Sequence, residues 1–211
     1  MSKLITILTI GPEYNGGMYL YHTAERSADL FESVMNSKFE CNTIRLRGLQ
    51  STSSNIINTI SNLSNLTEDD CERIIIYYSG HGNHTGNKEY WQTASGNVDQ
   101  IRISQLLNNL KPLVIVISDS CSSEHLVNSQ FIKHPYISLG ATMDNEDAIM
   151  TCEGGLFTLE LTKIINEFKS NFTFDELIKK IVEHRIEVET FSIKFSSDDL
   201  IHKMFFPEIK I

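Results

Sequence analysis

One histidine and one cysteine in this chain stand directly after short, strongly apolar runs. His81 follows Arg73-Ile74-Ile75-Ile76-Tyr77-Tyr78-Ser79-Gly80, and Cys121 follows Leu113-Val114-Ile115-Val116-Ile117-Ser118-Asp119-Ser120. A thiol attacks as its thiolate, and a free cysteine with a pKa of about 8.5 is mostly protonated at neutral pH. Histidine titrates in the range needed to take up that proton. The two residues therefore predict a nucleophile and its base, the pairing used in covalent catalysis by cysteine.

The runs before these two residues indicate how they are positioned. Both are short and rich in β-branched residues, which is typical of strands buried on both faces of a parallel sheet. Open α/β sheets carry their chemistry at the carboxyl edge of such strands, so we expect His81 and Cys121 to meet there. The backbone N–H groups of Cys121 and Gly82 would then be the donors for a developing oxyanion. Glycine on both sides of His81 would let the main chain approach a substrate closely.

Each of these residues, taken alone, has a plainer interpretation. A single histidine at a strand end usually packs or is solvated, and a single cysteine is usually an inert core residue. The other cysteines, Cys41, Cys71 and Cys152, lie far apart without metal-type spacing and are expected to be free thiols. It is the conjunction of His81 and Cys121 that favours catalysis.

Strand-like and helix-like runs alternate along the whole chain. The predicted strands are 4–10, 42–46, the two apolar runs that lead to His81 and Cys121, 136–139 and 202–206, and the predicted helices are 24–35, 53–63, 104–110, 156–168 and 174–189. This alternation predicts an α/β fold in one domain, residues 1–211, with a mostly parallel central sheet and helices on both faces. The irregular stretches 83–100, 122–135 and 141–155 follow predicted strands and should surround one cleft.

Composition excludes several classes of function. The 18 basic residues are outnumbered by 27 acidic ones, and the resulting net charge of −9 argues against a nucleic-acid partner. No apolar stretch reaches the ~20 residues that span a bilayer, and the N-terminus does not read as a secretory signal. We therefore expect a cytoplasmic protein with no membrane partner. Gly11-Pro12-Glu13 after the first strand is not a phosphate-binding loop, which disfavours a nucleotide-binding fold.

The two strand tips resemble the motifs of the caspase-like (clan CD) cysteine peptidases, and metacaspases most closely. Tyr77-Tyr78-Ser79-Gly80-His81-Gly82 resembles the metacaspase histidine motif, and Asp119-Ser120-Cys121 resembles the aspartate-x-cysteine nucleophile motif. Weaker matches extend over most of the chain: Ser53-Ser54-Asn55-Ile56, Lys111-Pro112-Leu113, Gly155-Leu156-Phe157-Thr158 and Thr173-Phe174-Asp175-Glu176-Leu177. The resemblance implies a caspase-like domain and a cysteine endopeptidase. Cys121 would attack, His81 would transfer the proton and Gly82 would help bind the oxyanion.

The resemblance also implies a substrate class, through the pocket for P1, the substrate residue before the cleaved bond. In metacaspases the motif serine and the aspartate two before the cysteine line a pocket for basic P1 residues, and Ser79 and Asp119 match them. A carboxylate facing arginine or lysine is favourable chemistry. Asp119 could instead end its strand and accept local N–H groups. Arg26 stands where the family has a further pocket aspartate, so it could neutralise Asp119 or alter the P1 preference.

The chain departs from the family pattern after the cysteine and in its count of acidic residues. Ser122-Ser123-Glu124 replaces the family's histidine-serine-glycine, which puts the local turn in question. Many metacaspases have a calcium site fed from the segment after the histidine and the loop after the cysteine. Here residues 83–100 contain only Glu89 and Asp99 as acidic residues, and the position seven after Cys121 is Asn128, whereas calcium prefers several oxygen ligands. We expect no cofactor and no metal, and calcium-independent activity. The loop after Cys121 is too short for a cleavable linker, which predicts a single-chain enzyme without internal processing.

The remaining expectations concern partners and individual residues. We expect a protein or peptide substrate and a monomeric state. Asp144, Glu146 and Asp147 occupy a loop that resembles a substrate-cleft loop, with Asp144 the candidate for substrate contact, although a solvated acidic turn is equally compatible. His84 is expected to be exposed, and Trp91 to pack on a short edge strand. The competing function is a catalytically inactive interaction module on the same fold, in which the altered post-cysteine turn prevents reaction.

Overall fold

A computed structural model describes residues 4–14, 22–85, 88–143, 146–169, 171–184 and 191–203. Within these residues the strands are β1 (Leu4–Pro12), β2 (Cys41–Gly48), β3 (Cys71–Ser79), β4 (Gly82–Thr85), β5 (Lys88–Gln92), β6 (Asn97–Asp99), β7 (Leu113–Asp119), β8 (Tyr136–Gly140) and β9 (Ser192–Phe195). The α-helices are α1 (Thr23–Lys38), α2 (Ser53–Asn62), α3 (Gln100–Leu107), α4 (Leu156–Glu167) and α5 (Phe174–His184). Short 3₁₀ helices cover Leu63–Asn65 and Asp198–His202.

The strands form a six-stranded central sheet and a small three-stranded one. The central order is β2-β1-β3-β7-β8-β9, and β4-β5-β6 forms the second sheet. All central neighbours are parallel except β9, which runs antiparallel to β8. β3 and β7 pair along their length, from Arg73 opposite Leu113 to Ser79 opposite Asp119. The predicted adjacency of these two strands is therefore confirmed.

The central strands are buried because helices cover both faces of the sheet. On β3, Ile75 and Tyr77 join the core under α1, α4 and α5, whereas Ile76 and Tyr78 join the core under α2 and α3. The strand residues alternate between the two cores because successive side chains of a strand point to opposite faces. The predicted fold class, a mostly parallel sheet with helices on both faces, is confirmed.

The stretch after His81, predicted to be irregular, forms the small antiparallel sheet. Trp91 on β5 is fully buried, and its indole stacks on the Tyr78 ring with centroids 4.6 Å apart. The predicted packing of Trp91 is therefore confirmed, but β5 is the middle strand of the small sheet and not an edge strand. Helix α3 begins at Gln100 rather than at residue 104, because the Asp99 side chain accepts the Arg102 N–H at 2.8 Å and caps the helix there.

The predicted last strand, 202–206, is wrong where the structure describes it, since His202 ends a 3₁₀ helix. Residues 204–211 lie outside the described residues. The outer strand of the sheet is instead β9, whose Ile193 and Phe195 pack against the core. At four residues it is too short to give a clear alternating pattern. The helix predicted over 174–189 is α5, which the structure describes to His184, and residues 185–190 are not among those described.

Candidate active site

The ends of β3 and β7 bring the two predicted reactive residues to one cleft. Ser79 lies opposite Asp119 in the sheet, and the N–H of Gly80 donates to the Asp119 carbonyl at 3.1 Å. The segments that follow β3 and β7 therefore leave the sheet at the same point. A cleft of about 240 Å³ opens there, lined by His81, Gly82, Asn83, His84, Cys121, Ser122 and Asp147.

Gly82 shows how closely the two strand tips approach each other. A Cβ at this position would overlap the Cys121 carbonyl oxygen and lie 2.8 Å from the Ser120 hydroxyl. Because no side chain fits in that space, the residue after His81 has to be glycine for the tips to pack in this way. The histidine tip is thus in direct contact with the main chain of the cysteine.

The Cys121 thiol is half-buried and already has polar neighbours. Its Sγ accepts the N–H of Ala148 at 3.3 Å. Burial raises the pKa of Cys121, the Ala148 N–H opposes that rise, and the Asp147 carboxylate adds to it by its charge and by accepting the thiol proton. The thiol is therefore protonated at neutral pH while Asp147 and Ala148 are in these positions.

The His81 imidazole is neutral at the same pH. Its partial burial lowers its pKa, so the ring keeps a free lone pair at pH 7. The ring lies against that of Tyr14, with centroids 4.6 Å apart and planes tilted by 55°. Since thiol and imidazole are both neutral, the site holds no preformed thiolate–imidazolium pair, and a proton has to move when the sulfur attacks.

The turn after Cys121 is well defined despite its departure from the family sequence. Ser122 has a positive φ of 48°, and its N–H donates to the Glu146 carbonyl at 3.1 Å. The Ser122 hydroxyl lies 3.3 Å from Nδ1 of His84. The Ser123 hydroxyl accepts the N–H of Thr142 at 3.1 Å. Serine hydroxyls thus hold the turn, and His84, exposed as expected, nevertheless lines the cleft.

Ser79 and Asp119, the two residues matched to the P1 pocket, are fully buried below the cleft rather than exposed in it. Oδ2 of Asp119 accepts the Thr158 N–H at 3.3 Å and also the Thr158 hydroxyl. Because Thr158 is in the first turn of α4, Asp119 caps that helix. Gly155 packs directly on the carboxylate, where a Cβ would overlap Oδ2.

The second carboxylate oxygen of Asp119, Oδ1, differs from Oδ2 in its hydrogen bonding. Oδ1 is buried and forms no hydrogen bond with the part of the chain that the structure describes. Burial raises the pKa of Asp119 to about 6, against the lowering effect of the Thr158 bonds. A buried oxygen of this kind is unfavourable unless a donor or a cation meets it.

Arg26 does not neutralise Asp119. Its guanidinium donates to the Cys152 carbonyl at 2.6 Å, and Asp119 forms no ion pair among the described residues. The contact instead ties α1 to the loop before α4. The neutralisation of Asp119 that Arg26 could have provided is therefore not seen.

The predicted substrate residue Asp144 lies outside the described residues. Asp147 of the same loop lines the cleft beside Cys121.

Among the residues described, no group of three or more histidine, cysteine, aspartate or glutamate side chains could hold a metal ion. In the same portion of the chain, no helix combines the length and apolar character needed to cross a bilayer.

The sequence reasoning missed Tyr14. It lies two residues beyond the end of β1, on the same edge of the sheet as His81 and Cys121. Its hydroxyl accepts the His81 N–H at 2.7 Å. The position of Tyr14 in the sequence could have indicated that it lies near the site, since the residues that follow each parallel strand of this sheet lie at that edge.

Comparisons with known proteins agree with this architecture. A family model described as "Caspase domain" matches residues 7–194. The fold is similar to the crystal structure of protein GSU0716 from Geobacter sulfurreducens, with a TM-score of 0.77 and 16% sequence identity over the whole of both chains. At that identity the likeness concerns the fold. No curated protein matches the sequence.

Proposed function

Because the chain belongs to the caspase domain family of cysteine peptidases, we propose that it is an active endopeptidase that uses a Cys121–His81 dyad. The observation that carries this proposal is the meeting of both residues in one cleft at the ends of paired strands. The packing of Gly82 on the Cys121 main chain supports it, because this contact fixes one strand tip against the other.

The proposed reaction starts from a neutral thiol and a neutral imidazole. As Sγ of Cys121 bonds to the substrate carbonyl carbon, His81 takes the thiol proton. The N–H groups of Cys121 and Gly82 bind the resulting oxyanion. His81 then gives its proton to the leaving amine, and a thioester remains. Water attacks the thioester with His81 as base, which releases the acid product and restores the thiol.

Substrate binding has a further task, which is to change the surroundings of the thiol. Asp147 accepts the thiol proton at rest and disfavours the thiolate. A peptide that enters the cleft displaces this carboxylate, so the pKa of Cys121 falls as the substrate arrives. The acidic residue beside the nucleophile thereby limits reaction with small electrophiles while the cleft is empty.

We infer a basic P1 residue, recognised by Asp119 with Ser79 beside it. What supports this is the Asp119 Oδ1 atom, a buried carboxylate oxygen for which the described residues provide no hydrogen-bond donor. A guanidinium or ammonium group would satisfy it by a charge-assisted hydrogen bond. Since Gly155 and Thr158 cover the carboxylate, the segment 146–155 has to move for the P1 side chain to reach it.

The test is a panel of fluorogenic peptides with arginine, lysine or aspartate at P1. Wild type should cleave the arginine and lysine peptides, and Cys121→Ala should cleave none. Asp119→Asn keeps the volume and an acceptor for Thr158, so it should stay folded and lose most of its preference for basic P1. Equal turnover by wild type and Cys121→Ala would exclude the dyad.

Two further results would change the proposal. A preference for aspartate would exclude the pocket role of Asp119. Absence of turnover by a folded wild type across a broad peptide library would favour the inactive interaction module instead.

Within the family, we propose that the chain is metacaspase-like, because its histidine and cysteine motifs match that branch.

A further inference from the structure

The Tyr14 side chain makes a concentrated set of contacts with the candidate base. Its hydroxyl oxygen lies 2.7 Å from the His81 main-chain nitrogen, 3.0 Å from the Tyr78 hydroxyl and 3.1 Å from the Gln92 carbonyl oxygen. Its ring also lies against the His81 imidazole. One side chain therefore contacts both the backbone and the ring of His81.

Tyr78 completes the arrangement from the other side. Its hydroxyl lies 2.7 Å from the His81 carbonyl oxygen, which also accepts the Gln92 N–H at 2.9 Å. Tyr14 receives the N–H of His81, and β5 and Tyr78 hold its C=O. Both main-chain polar groups of His81 are thus bound, so the residue is fixed before its ring does any chemistry.

Gly80 shows that the fold accommodates the Tyr14 hydroxyl. It has a φ of 156°, and a Cβ there would overlap the Tyr14 hydroxyl and lie 2.7 Å from that of Tyr78. Glycine is therefore needed at this position for the phenol to reach the His81 N–H. Burial raises the pKa of Tyr14 to about 12, so the hydroxyl stays neutral and can accept and donate at once.

We propose that Tyr14 is a positioning residue that holds the His81 main chain by its hydroxyl and shields the imidazole by its ring. This inference rests on the proposed role of His81 as the proton-transfer group. The hydroxyl fixes where the imidazole sits relative to Cys121, and small displacements of a reacting group are costly in rate. The ring keeps water from one side of the imidazole, which contributes to the burial that lowers the pKa of His81.

Other titratable groups line the cleft with His81 or contact its main chain, and they have to be kept unchanged in the test. They are Tyr78 on β3, His84 on β4, Cys121 after β7 and Asp147 in the loop before α4. Both Tyr14 variants retain these four residues but lose the contact between the Tyr14 and Tyr78 hydroxyls. A difference in the titration of His81 between Tyr14→Phe and Tyr14→Leu can then be assigned to the ring.

The experiment separates hydroxyl from ring with Tyr14→Phe and Tyr14→Leu. Tyr14→Phe should lower kcat roughly tenfold with little change in KM, because the ring remains but the His81 N–H loses its acceptor. Tyr14→Leu should lower kcat further and move the acid limb of the kcat/KM profile to higher pH. The control is Tyr136→Phe, a buried tyrosine at the opposite edge of the sheet, which should match wild type.

The outcomes are distinguishable from failure of the proposed function. If wild type is active but both Tyr14 variants keep its kcat and its acid limb, the positioning role is excluded and the peptidase remains. If wild type is inactive, NMR titration of the His81 imidazole still decides. A higher His81 pKa in Tyr14→Leu supports the shielding, and an unchanged one overturns it. Should Tyr14→Leu fail to fold, Tyr14→Phe alone decides through kcat.

Discussion

The protonation states of the two candidate catalytic side chains, Cys121 and His81, follow from their surroundings. Burial disfavours charge on either group, so it raises the pKa of Cys121 and lowers that of His81. The site thereby favours a neutral thiol beside a neutral imidazole. The acid limb of kcat/KM, set by protonation of His81, should lie below the ordinary histidine pKa of about 6.5.

Asp147→Asn should make Cys121 more reactive toward a small electrophile. The substitution removes a negative charge and a proton acceptor beside the thiol, so the pKa of Cys121 falls and more thiolate is present. We expect alkylation by iodoacetamide at pH 7.5 to accelerate roughly threefold or more. The exposed Cys152 serves as the control thiol in the same molecule. Equal acceleration at both cysteines, or none at Cys121, would contradict the contact.

The buried carboxylate of Asp119 should make the protein less stable as pH rises. Its pKa is about 6 in the folded chain and about 3.9 when unfolded, so the folded state binds the extra proton between these values. Stability is therefore lost as pH rises from about 4 to about 6, by about 3 kcal/mol. Asp119→Asn should lack this component, as measured by urea denaturation at several pH values. Parallel pH profiles for wild type and variant would contradict it.

The placement of His81 and Cys121 at one cleft was easier to predict from the sequence than the contacts that surround them. His81 and Cys121 were predictable because each follows a β-branched run. The capping of α4 by Asp119 was not, because it depends on a contact with Thr158, which is distant in the chain. Tyr14 was missed for the same reason, since nothing near it in sequence indicates a hydrogen bond to His81.

Three elements position His81 and Cys121: the strands β3 and β7, and the small sheet that follows β3. The pairing of β3 with β7 sets the position of both tips. β5 then holds the chain after β3, because the Gln92 N–H donates to the His81 carbonyl and Trp91 donates to Ser118 on β7 at 2.9 Å. The small sheet therefore links the histidine tip to the cysteine strand.

Gly82→Ala should separate the two tips. The added methyl group has to displace the Cys121 main chain, so kcat/KM should fall by about 100-fold, in keeping with the sensitivity of reacting groups to ~1 Å shifts. Thr85→Ala, an exposed position on the same strand, is the control. Peptide hydrolysis measures the loss, and circular dichroism checks that the variant is folded. Wild-type activity in Gly82→Ala would contradict the close packing.

The long buried strands were predictable as elements, whereas the short ones were not. β3 and β7 have continuous apolar runs that leave little choice of structure. β4, β6 and β9 have three or four residues each, too few for an alternating pattern to emerge. β4 and β6 both pair with β5, whose Trp91 is buried against Tyr78 of β3, a contact distant in the sequence.

For the molecule as a whole, the sheet collects its polar strand ends at one edge. The fold explains why the cleft lies at this edge. Whether the enzyme needs a bound metal ion or internal cleavage depends on the other residues at the edge. Among the described residues, none cluster as a group of three or more metal-ligating side chains. We expect the intact chain to be active without calcium and without internal cleavage.

Removal of divalent cations should leave turnover unchanged. We expect the same kcat/KM with excess chelator and with added calcium, because residues 83–100 contain only two acidic side chains, Glu89 and Asp99, and calcium prefers several oxygen ligands. The same samples, analysed by gel after the assay, should show an uncut chain. Activity that requires calcium, or that appears only after cleavage within 122–155, would contradict the proposal.

The most direct test is to trap the nucleophile with an arginyl peptide acyloxymethyl ketone and locate the adduct by mass spectrometry. A catalytic dyad predicts one adduct, on Cys121, formed far more slowly in His81→Ala and absent from the exposed Cys152. An intact Cys121, or labelling of Cys152 at the same rate, would show that the thiol and the imidazole do not act together.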